Sequence, residues 1–310
     1  MSDSHVVILG AGHAGGTAAA LLRQYGHAGP ITLVGEEPIP PYQRPPLSKA
    51  WLKGEADADS LALKPLEFYA EHDIDFRPNL RAIELNRGGK TVSLSDGSEL
   101  SYDVLIIATG ARPIALAIPG ADLAGVLFLR TAADAERLKA TIGPGKTIAV
   151  VGGGYIGLEA AASAHSLGAK VVVVEREDRL LARVACSALS DFFQAYHEKH
   201  GVDFVLGASV TAFEGKDGQI TGVVLSDGRT LPCDAALVGV GAHPNDELAR
   251  ESGLETARGI VVDLEARTAD PSIFAIGDVA HRPMPIYERM FRLESVPNAL
   301  EQAKQAAAAI

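Results

Sequence analysis

The stretch Val6-Val7-Ile8-Leu9-Gly10-Ala11-Gly12-His13-Ala14-Gly15 decides the fold. Its first four residues form a short apolar run rich in β-branched residues, which is typical of a buried parallel strand. The next six follow the pattern G-x-G-x-x-G, and a helix-forming stretch, Thr17 to Gln24, comes after them. A second apolar run, Ile31 to Gly35, then ends at Glu36. The order predicts a strand, a tight loop, a helix and a second strand that ends on an acid.

Each part of this unit has a mechanical purpose if a dinucleotide binds there. Gly10 permits the tight turn, Gly12 lets the backbone approach a pyrophosphate, and Gly15 lets the helix pack close to the strand. The helix N-terminus favours the phosphate charge, and Glu36 would accept hydrogen bonds from ribose hydroxyls. A single G-x-G-x-x-G is weak evidence, because it also occurs in ordinary glycine turns.

The same unit occurs again later in the chain. Thr147 to Val151 leads into Gly152-Gly153-Gly154-Tyr155-Ile156-Gly157, a helix through Leu167, and a strand from Val171 to Val174 that ends at Glu175. Chance is a poor explanation for the complete repeat. It predicts two nucleotide-binding units in tandem.

The segments downstream of each unit also match. Val92 to Gly97 leads to the buried run Tyr102–Gly110, and Val224 to Gly228 leads to Cys233–Gly241. Each contains an Asp-Gly pair that predicts a hairpin between alternating strands. A third run, Ile273 to Asp278, has no glycine loop of its own, so we expect the chain to return there to the first unit.

The predicted fold class is therefore α/β, with two Rossmann-like three-layer dinucleotide-binding domains and the second inserted in the first. The predicted boundaries are 1–112 with 241–310 for the first, discontinuous domain, and 113–240 for the second. A length of 310 residues agrees with two cores.

Composition excludes several classes of function. The net charge of −11 argues against nucleic acid as the main partner, because phosphate binding needs a basic face. The sequence contains no bilayer-spanning run and no C-x-x-C motif, and we expect no signal peptide, so we expect a cytoplasmic enzyme without membrane attachment. We expect no metal site, and the sequence does not decide the oligomeric state.

These residues resemble a known family, the FAD-dependent NADH:ferredoxin reductases of oxygenase and cytochrome P450 systems, of the putidaredoxin-reductase type, within the glutathione-reductase-like fold. The resemblance covers the whole chain. The more discriminating segments are Pro45-Pro46-Leu47-Ser48-Lys49 and Glu294 to Gln302. The other matching segments are the two glycine loops, Ala108-Thr109-Gly110 and Ala275-Ile276-Gly277-Asp278.

The resemblance implies which positions hold FAD. The first loop would hold the pyrophosphate, Glu36 the adenosine ribose, Ala82 the adenine through its backbone, and Asp278 the ribityl chain. Val296 would lie near the flavin ring. The complete set implied for FAD is Gly10, Gly12, His13, Ala14, Gly15, Glu36, Arg44, Lys49, Ala82, Ala108, Thr109, Gly110, Arg130, Gly277, Asp278 and Val296.

The resemblance also implies an NADH site in the second domain. Its positions are Gly152, Gly154, Tyr155, Ile156, Gly157, Glu159, Glu175, Arg183 and Gly241. Glu175 would accept a hydrogen bond from the ribose 2′-hydroxyl and repel a 2′-phosphate, which predicts NADH over NADPH. The alternative is that Arg176 or Arg179 swings in and receives the phosphate.

Lys49 and Glu159 are the candidate catalytic residues. The resemblance implies that they form a pair beside the flavin, where a lysine stabilises negative charge on the reduced ring. The alternative is that Lys49 is an exposed lysine at a helix start and Glu159 a solvated helix charge.

The implied partner is a [2Fe–2S] ferredoxin that serves a P450 or a ring-hydroxylating oxygenase. The sequence departs from the family in one way: members continue into a third domain, so the chain is expected to be a fragment or a natural short form. Competing functions are an NADH oxidase, a disulfide or peroxide reductase, and an NADH-sensing flavoprotein resembling apoptosis-inducing factor. The reductases of disulfides and peroxides usually need a redox cysteine, and the segment Pro38–Trp51 has none.

Overall fold

The computed structural model describes residues 3–310. Its strands, numbered along the chain, are β1 Val6–Leu9, β2 Ile31–Val34, β3 Ile74–Arg77, β4 Ala82–Asn86, β5 Thr91–Leu94, β6 Glu99–Ser101, β7 Val104–Ile107, β8 Ala111–Pro113, β9 Val126–Leu127, β10 Thr147–Val151, β11 Lys170–Glu175, β12 Val202–Leu206, β13 Val210–Lys216, β14 Gln219–Leu225, β15 Thr230–Pro232, β16 Ala235–Val238, β17 Ala242–Pro244, β18 Ile260–Val261, β19 Ile273–Ala275, β20 Ala280–Met284 and β21 Arg289–Phe291.

The helices are α1 His13–Gln24, α2 Ala50–Lys53, α3 Ala58–Leu61, α4 Leu66–Glu71, α5 Ala132–Thr141, α6 Tyr155–Ser166, α7 Ser187–Lys199, α8 Glu247–Glu251 and α9 Val296–Ala309. Short 3₁₀ helices cover Pro45–Ser48, Gly277–Val279 and Pro285–Tyr287. Helix α1 begins four residues before the helix-forming stretch that the sequence suggested, so Gly15 lies inside it.

The chain divides into two compact units. The first contains the chain up to Gln43, Ala58–Arg112 and His243–Ile310, and the second contains Arg44–Asp57 and Pro113–Ala242. The segment 44–57 thus differs from the predicted boundary, which placed it in the first domain. Its own contacts explain the difference: the Ser163 hydroxyl donates to the Ser48 carbonyl at 2.7 Å, and Leu52 is fully buried.

A five-stranded parallel sheet forms the centre of the first unit, in the order β19-β7-β1-β2-β3. Its strands are short and β-branched, as expected for a sheet that is buried on both faces. Val6 and Ile8 pack into one apolar cluster with α1 and α9 residues, and Val7 and Leu9 pack into another on the opposite face. This alternation follows from the two-residue period of a strand.

A second five-stranded parallel sheet, in the order β12-β11-β10-β16-β9, forms the centre of the second unit. β1 lies between β2 and β7, and β10 lies between β11 and β16, so the two glycine loops follow equivalent central strands. The predicted fold class is confirmed.

Both predicted Asp-Gly hairpins are present. Asp96-Gly97 joins β5 to β6, and Asp227-Gly228 joins β14 to β15, each in a three-stranded antiparallel sheet. The two turn glycines have φ of +85°, a conformation that side chains disfavour. Two smaller sheets are also present: one pairs β8 with β17, and in the other β20 lies between β18 and β21.

Within residues 3–310, no helix is long and apolar enough to cross a lipid bilayer.

Candidate functional site

The first and third glycines of the first loop, Gly10 and Gly15, have no room for a side chain. Gly10 has φ of +112°, and a Cβ atom there would lie 2.3 Å from the carbonyl oxygen of Ala108. A Cβ on Gly15 would lie 1.9 Å from the carbonyl oxygen of Gly10. Both glycines are therefore required by the turn itself and by the close packing of α1 on the strand.

Gly12 differs from these two glycines, because a Cβ there would meet nothing within 4 Å. It is the N-cap of α1 and offers that helix no side-chain cap, and the first turn of α1 carries no acidic residue. His13, at the first position of α1, is half-buried. An uncapped helix start beside open space fits the pyrophosphate of a dinucleotide, which would meet the helix N–H groups and dipole.

Glu36 is exposed just beyond the end of β2. The chain later returns to this edge, where Leu80 N–H donates to the Gly35 carbonyl at 2.9 Å. Ala82 follows as the first residue of β4 and is half-buried. The structure therefore brings the segment of Ala82 next to the strand end that carries Glu36.

Ala108-Thr109-Gly110 directly follows β7 and lies against the first loop, with Ala108 N–H donating to the Leu9 carbonyl at 2.7 Å. Asn245 fixes this segment from both sides. Its Nδ2 donates to the Thr109 carbonyl, and the Thr109 hydroxyl donates to the Asn245 carbonyl, both at 2.8 Å. The sequence analysis missed Asn245, which lies 136 residues from its partner and carries no local signal.

Arg112 extends the same network, donating to Asn245 Oδ1 at 2.8 Å and to Glu247 Oε1 at 2.6 Å. The hydrogen bond from the Arg112 guanidinium lowers the pKa of the Glu247 carboxyl.

The third element of the first site is the turn Gly277–Asp278, which follows β19. Gly277 has φ of +76°, and its Cβ would lie 2.9 Å from the Cβ of Ala14, so the turn lies against the first turn of α1. Asp278 is half-buried. Val296, the first residue of α9, is also half-buried.

The second glycine loop repeats the first in detail. Gly152 has φ of +113°, and its Cβ would lie 2.4 Å from the Gly239 carbonyl oxygen. A Cβ on Gly157 would lie 2.1 Å from the Gly152 carbonyl oxygen, whereas one on Gly154 would meet nothing within 4 Å. Gly154 is the uncapped start of α6, again without an acid in the first turn. This site also fits a dinucleotide pyrophosphate.

Glu175 is held against this loop by backbone hydrogen bonds. Its Oε2 accepts from Gly153 N–H at 2.6 Å, and its Oε1 accepts from Glu177 N–H at 3.0 Å. A carboxylate oxygen accepts two hydrogen bonds, so each oxygen keeps capacity for a ribose hydroxyl. The charge is fixed at the edge of the open loop.

The arginines that were the alternative phosphate ligands are placed differently. Arg179 donates to the carbonyls of Ala182 and Ala185 and to the Ser190 hydroxyl, all at 2.8–2.9 Å. Arg176 is exposed and pairs with the neighbouring Glu177 at 3.1 Å. The Arg179 guanidinium therefore stabilises the loop before α7 and is already hydrogen-bonded there.

The remaining residues of the predicted NADH set lie in the same unit. Tyr155 and Ile156 are 54% and 51% exposed although both side chains are large and apolar. The Arg183 guanidinium lies 3.8 Å from the Cβ position of Gly241, which has φ of +128°. Exposed apolar side chains beside an open loop suit the packing of a flat aromatic ring.

Lys49 and Glu159 form the pair that the resemblance implied, with Nζ 2.6 Å from Oε2. Lys49 also precedes α2 and is 47% exposed, as the alternative required, whereas Glu159 is 33% exposed. The Ser48 hydroxyl donates to the same carboxylate oxygen at 2.6 Å, a contact that the sequence analysis missed. Ser48 thus fixes the orientation of Glu159 while Lys49 neutralises its charge.

Arg44 and Arg130 also meet. An Arg44 guanidinium nitrogen donates to the Arg130 carbonyl at 2.5 Å. Arg44, Lys49 and Arg130 all belong to the second unit. Their assignment to FAD stays a prediction.

The two cysteines are free and unlike each other. Cys186 is exposed, whereas burial raises the pKa of the Cys233 thiol to about 12. A thiol with so high a pKa is a poor nucleophile, and the two residues form no pair. Among the described residues, no cluster of histidine, cysteine or acidic side chains could hold a metal ion.

Comparison with known proteins agrees with this geometry. The family model for the pyridine nucleotide-disulphide oxidoreductases matches residues 4–303. The chain belongs to this family. The predicted family resemblance and the predicted oxidoreductase activity are confirmed.

Several relatives within the pyridine nucleotide-disulphide oxidoreductases are named as ferredoxin or rubredoxin reductases. The chain is 57% identical, over all of its length and 76% of the relative, to the "Probable ferredoxin reductase CtmF" of Castellaniella defragrans. It is 42% identical to a rubredoxin-NAD(+) reductase of Pseudomonas putida, over 98% of this chain and 79% of the relative.

A solved structure extends the similarity to the fold. The covalent putidaredoxin reductase–putidaredoxin complex matches with a TM-score of 0.97 at 40% identity, over 100% of this chain and 75% of that one.

Proposed function

We propose that this chain is an FAD-dependent NADH:ferredoxin reductase that takes hydride from NADH onto FAD and passes single electrons to a [2Fe–2S] ferredoxin serving a P450 or a ring-hydroxylating oxygenase. The observation that carries the proposal is the duplicated glycine loop, with open space at Gly12 and Gly154 beside two uncapped helix starts. It is supported by 57% identity to the Castellaniella protein. The proposed location is the cytoplasm.

The first unit holds FAD in this proposal, and its residues divide the work. The first loop and the start of α1 bind the pyrophosphate, and Glu36 binds the adenosine ribose. Asp278 accepts hydrogen bonds from the ribityl hydroxyls, because an ionised carboxylate is an acceptor only. Bound FAD would connect the two-electron chemistry of NADH with the one-electron chemistry of an iron–sulfur acceptor.

The second unit holds NADH. Glu175 accepts a hydrogen bond from the 2′-hydroxyl, and its charge repels a 2′-phosphate. Arg179 is tied to Ala182, Ala185 and Ser190, so it does not neutralise that phosphate. These contacts support NADH over NADPH.

A thiol-based reductase is the weaker alternative. Of the two cysteines, only Cys186 is exposed, and Cys233 is buried with a raised pKa. Lys49 and Glu159 carry the catalytic role in our proposal: Lys49 stabilises negative charge near the flavin, and Glu159 holds the lysine in place.

The acceptor is tested by turnover. FAD-loaded protein is mixed with NADH and cytochrome c, with and without a [2Fe–2S] ferredoxin, and in a parallel series with rubredoxin. We expect cytochrome c reduction to depend on the ferredoxin. Equal rates without any iron protein, with oxygen consumed instead, would favour an NADH oxidase, and rubredoxin dependence alone would replace the proposed acceptor.

A further inference from the structure

Helix α6 binds the segment Arg44–Asp57 of its own unit through two polar side chains, Glu159 and Ser163. They are four residues apart, so they lie on one face of the helix. Both contact Ser48. The Ser48 hydroxyl donates to Glu159 Oε2 at 2.6 Å, and the Ser163 hydroxyl donates to the Ser48 carbonyl at 2.7 Å. Ser48 is therefore attached to α6 both by its side chain and by its backbone.

Both serines are buried, Ser48 with 4% and Ser163 with 5% of their surface exposed. The Ser48 hydroxyl has a second acceptor, the Pro45 carbonyl, but at 3.4 Å, so its single hydrogen is directed to the carboxylate of Glu159. Loss of the Ser163 hydroxyl would leave the buried Ser48 carbonyl without this donor, which costs free energy. The peptide that joins Ser48 to Lys49 would then be less firmly fixed to α6.

The peptide that Ser163 holds leads directly into Lys49. The backbone N–H of Lys49 donates to the Pro46 carbonyl at 2.9 Å, and its Nζ donates to the Pro45 carbonyl at 3.1 Å. The same Nζ lies 2.6 Å from Glu159 Oε2. One face of α6 thus acts on Lys49 at two points: Glu159 binds the end of its side chain, and Ser163 holds the start of its backbone.

We propose that Ser163 is a positioning residue for the Lys49–Glu159 pair, because it fixes the backbone of Lys49 relative to Glu159 through the Ser48 carbonyl. This inference rests on the proposed catalytic role of Lys49. The competing explanation is that the Ser163 hydroxyl only attaches the segment to the rest of the unit, as the buried side chain of Leu52 does. A measurement of geometry without regard to FAD and a measurement of rate together separate the two.

The geometry is measured by carbodiimide coupling, which joins an amine and a carboxylate in direct contact as an amide. Peptide mass spectrometry on the full chain gives the yield of the Lys49–Glu159 amide relative to that of Lys53–Glu55, a reference pair at 2.8 Å in the same segment. Both pairs are partly exposed, so the reagent reaches them. We expect Ser163→Ala to lower this coupling ratio about twofold or more.

Ser190→Ala is the matched control for the loss of a buried hydroxyl. Ser190 belongs to the same unit and is 1% exposed, and its hydroxyl donates to the Leu180 carbonyl at 2.6 Å. The control should keep the wild-type coupling ratio. An equal fall of the ratio in Ser163→Ala and Ser190→Ala would mean general loosening of the unit and would overturn the proposal.

The rate is measured by stopped-flow reduction of the FAD-loaded protein with NADH. We expect Ser163→Ala to slow flavin reduction about threefold. The double variant Lys49→Met with Ser163→Ala should be as slow as Lys49→Met alone, because a residue that acts through Lys49 has no effect once the lysine is gone. If the Ser163 hydroxyl only supports the fold, the two effects multiply instead.

The outcomes are distinguishable. An unchanged coupling ratio in Ser163→Ala, or effects on the rate that multiply in the double variant, would each overturn the positioning role. If NADH does not reduce the flavin of the wild type, the proposed function fails. The coupling ratio needs neither FAD nor turnover, so it still decides whether Ser163 positions the Lys49–Glu159 pair.

Discussion

The two glycine loops share one backbone and differ at the acid that follows it. Gly10 and Gly152 have φ of +112° and +113°. A Cβ on Gly10 would overlap the Ala108 carbonyl after β7, and a Cβ on Gly152 would overlap the Gly239 carbonyl after β16. Their N–H groups donate to Val34 and Val174, both at 2.8 Å. The glycines are therefore fixed by the fold, and any functional difference lies elsewhere.

The two loops differ at a pair of contacting positions: the first unit has alanine facing glycine, and the second has glycine facing glutamate. By the shared hydrogen bond, Gly35 in the first unit corresponds to Glu175 in the second. In the first unit, the Cβ of Ala11 lies 2.7 Å from where a Cβ on Gly35 would lie, so a side chain at position 35 has no room. In the second unit, the position of Ala11 is taken by Gly153, which leaves room for Glu175. The Oε2 of Glu175 lies 3.2 Å from where a Cβ on Gly153 would lie. Glu36 thus stands one residue further along than Glu175 and is exposed.

The second loop holds its acid, Glu175, in place, whereas no hydrogen bond within residues 3–310 holds the Glu36 carboxylate. The Glu175 carboxylate is fixed by two N–H groups, so its charge acts at a defined point, as discrimination against a 2′-phosphate requires. Glu36 has more freedom to meet its ligand. We expect removal of Glu175 to change cofactor choice, and removal of Glu36 to change affinity only.

The largest effect should come from filling the open space of each loop. Gly12→Val and Gly154→Val each add side chain where a Cβ meets nothing and where φ is negative, so both proteins should fold. Gly12→Val should weaken FAD by about a hundredfold and leave NADH binding intact, and Gly154→Val should do the reverse. Flavin fluorescence and calorimetric titration with NADH measure the two affinities. Loss of both cofactors in either variant would contradict separate sites.

A smaller effect is expected from the acids. Glu175→Ala should narrow the preference for NADH over NADPH by about tenfold, since a charged hydrogen-bond acceptor and a repulsive charge are lost together. Glu36→Ala is the matched control and should leave that ratio unchanged. The ratio of kcat/KM values for flavin reduction is the measurement, and equal ratios in all three proteins would remove Glu175 from cofactor choice.

The Lys49–Glu159 pair should matter for rate and little for stability. Lys49→Met should slow flavin reduction by NADH by about tenfold, while the free energy of unfolding changes by less than about 1 kcal/mol, because the pair is partly exposed. Lys53, in the same segment, pairs with Glu55 at 2.8 Å, and Lys53→Met is the control. Stopped-flow reduction and urea unfolding test both parts. If Lys49→Met reduces its flavin as fast as Lys53→Met, Lys49 has no catalytic role and is an ordinary surface lysine.

The smallest effect is expected from the cysteines. A variant with Cys186→Ser and Cys233→Ser should reduce its flavin within about twofold of the wild-type rate, because neither thiol belongs to a redox pair. Iodoacetamide should label Cys186 and spare the buried Cys233 in the native protein. A loss of NADH-dependent reduction after labelling would revive a thiol mechanism.

Much of the fold could be predicted because its signals are local. The glycine loops, the Asp-Gly turns and the apolar runs each lie within about ten residues of chain, and the backbone needs them wherever they occur. The repeat then gave the equivalence of the two sheets.

The parts of the fold and of the candidate site that the sequence did not predict depend on contacts between residues far apart in the chain. Ser48 meets Glu159 across 111 residues, and Asn245 meets Thr109 across 136. Nothing in the local sequence marks these partners. The packing of Arg44–Asp57 with the second unit is likewise decided by tertiary contacts, through Ser48, Lys49 and Leu52.

In our proposal one chain binds FAD and NADH at two separate glycine loops and passes hydride from NADH to FAD. Anaerobic titration of FAD-loaded wild-type protein with NADH tests it most directly, with flavin absorbance as the signal. We expect the oxidised flavin band to bleach with one equivalent of NADH per bound flavin, and far less readily with NADPH. A flavin that NADH does not bleach, or a protein that retains no FAD, would contradict it.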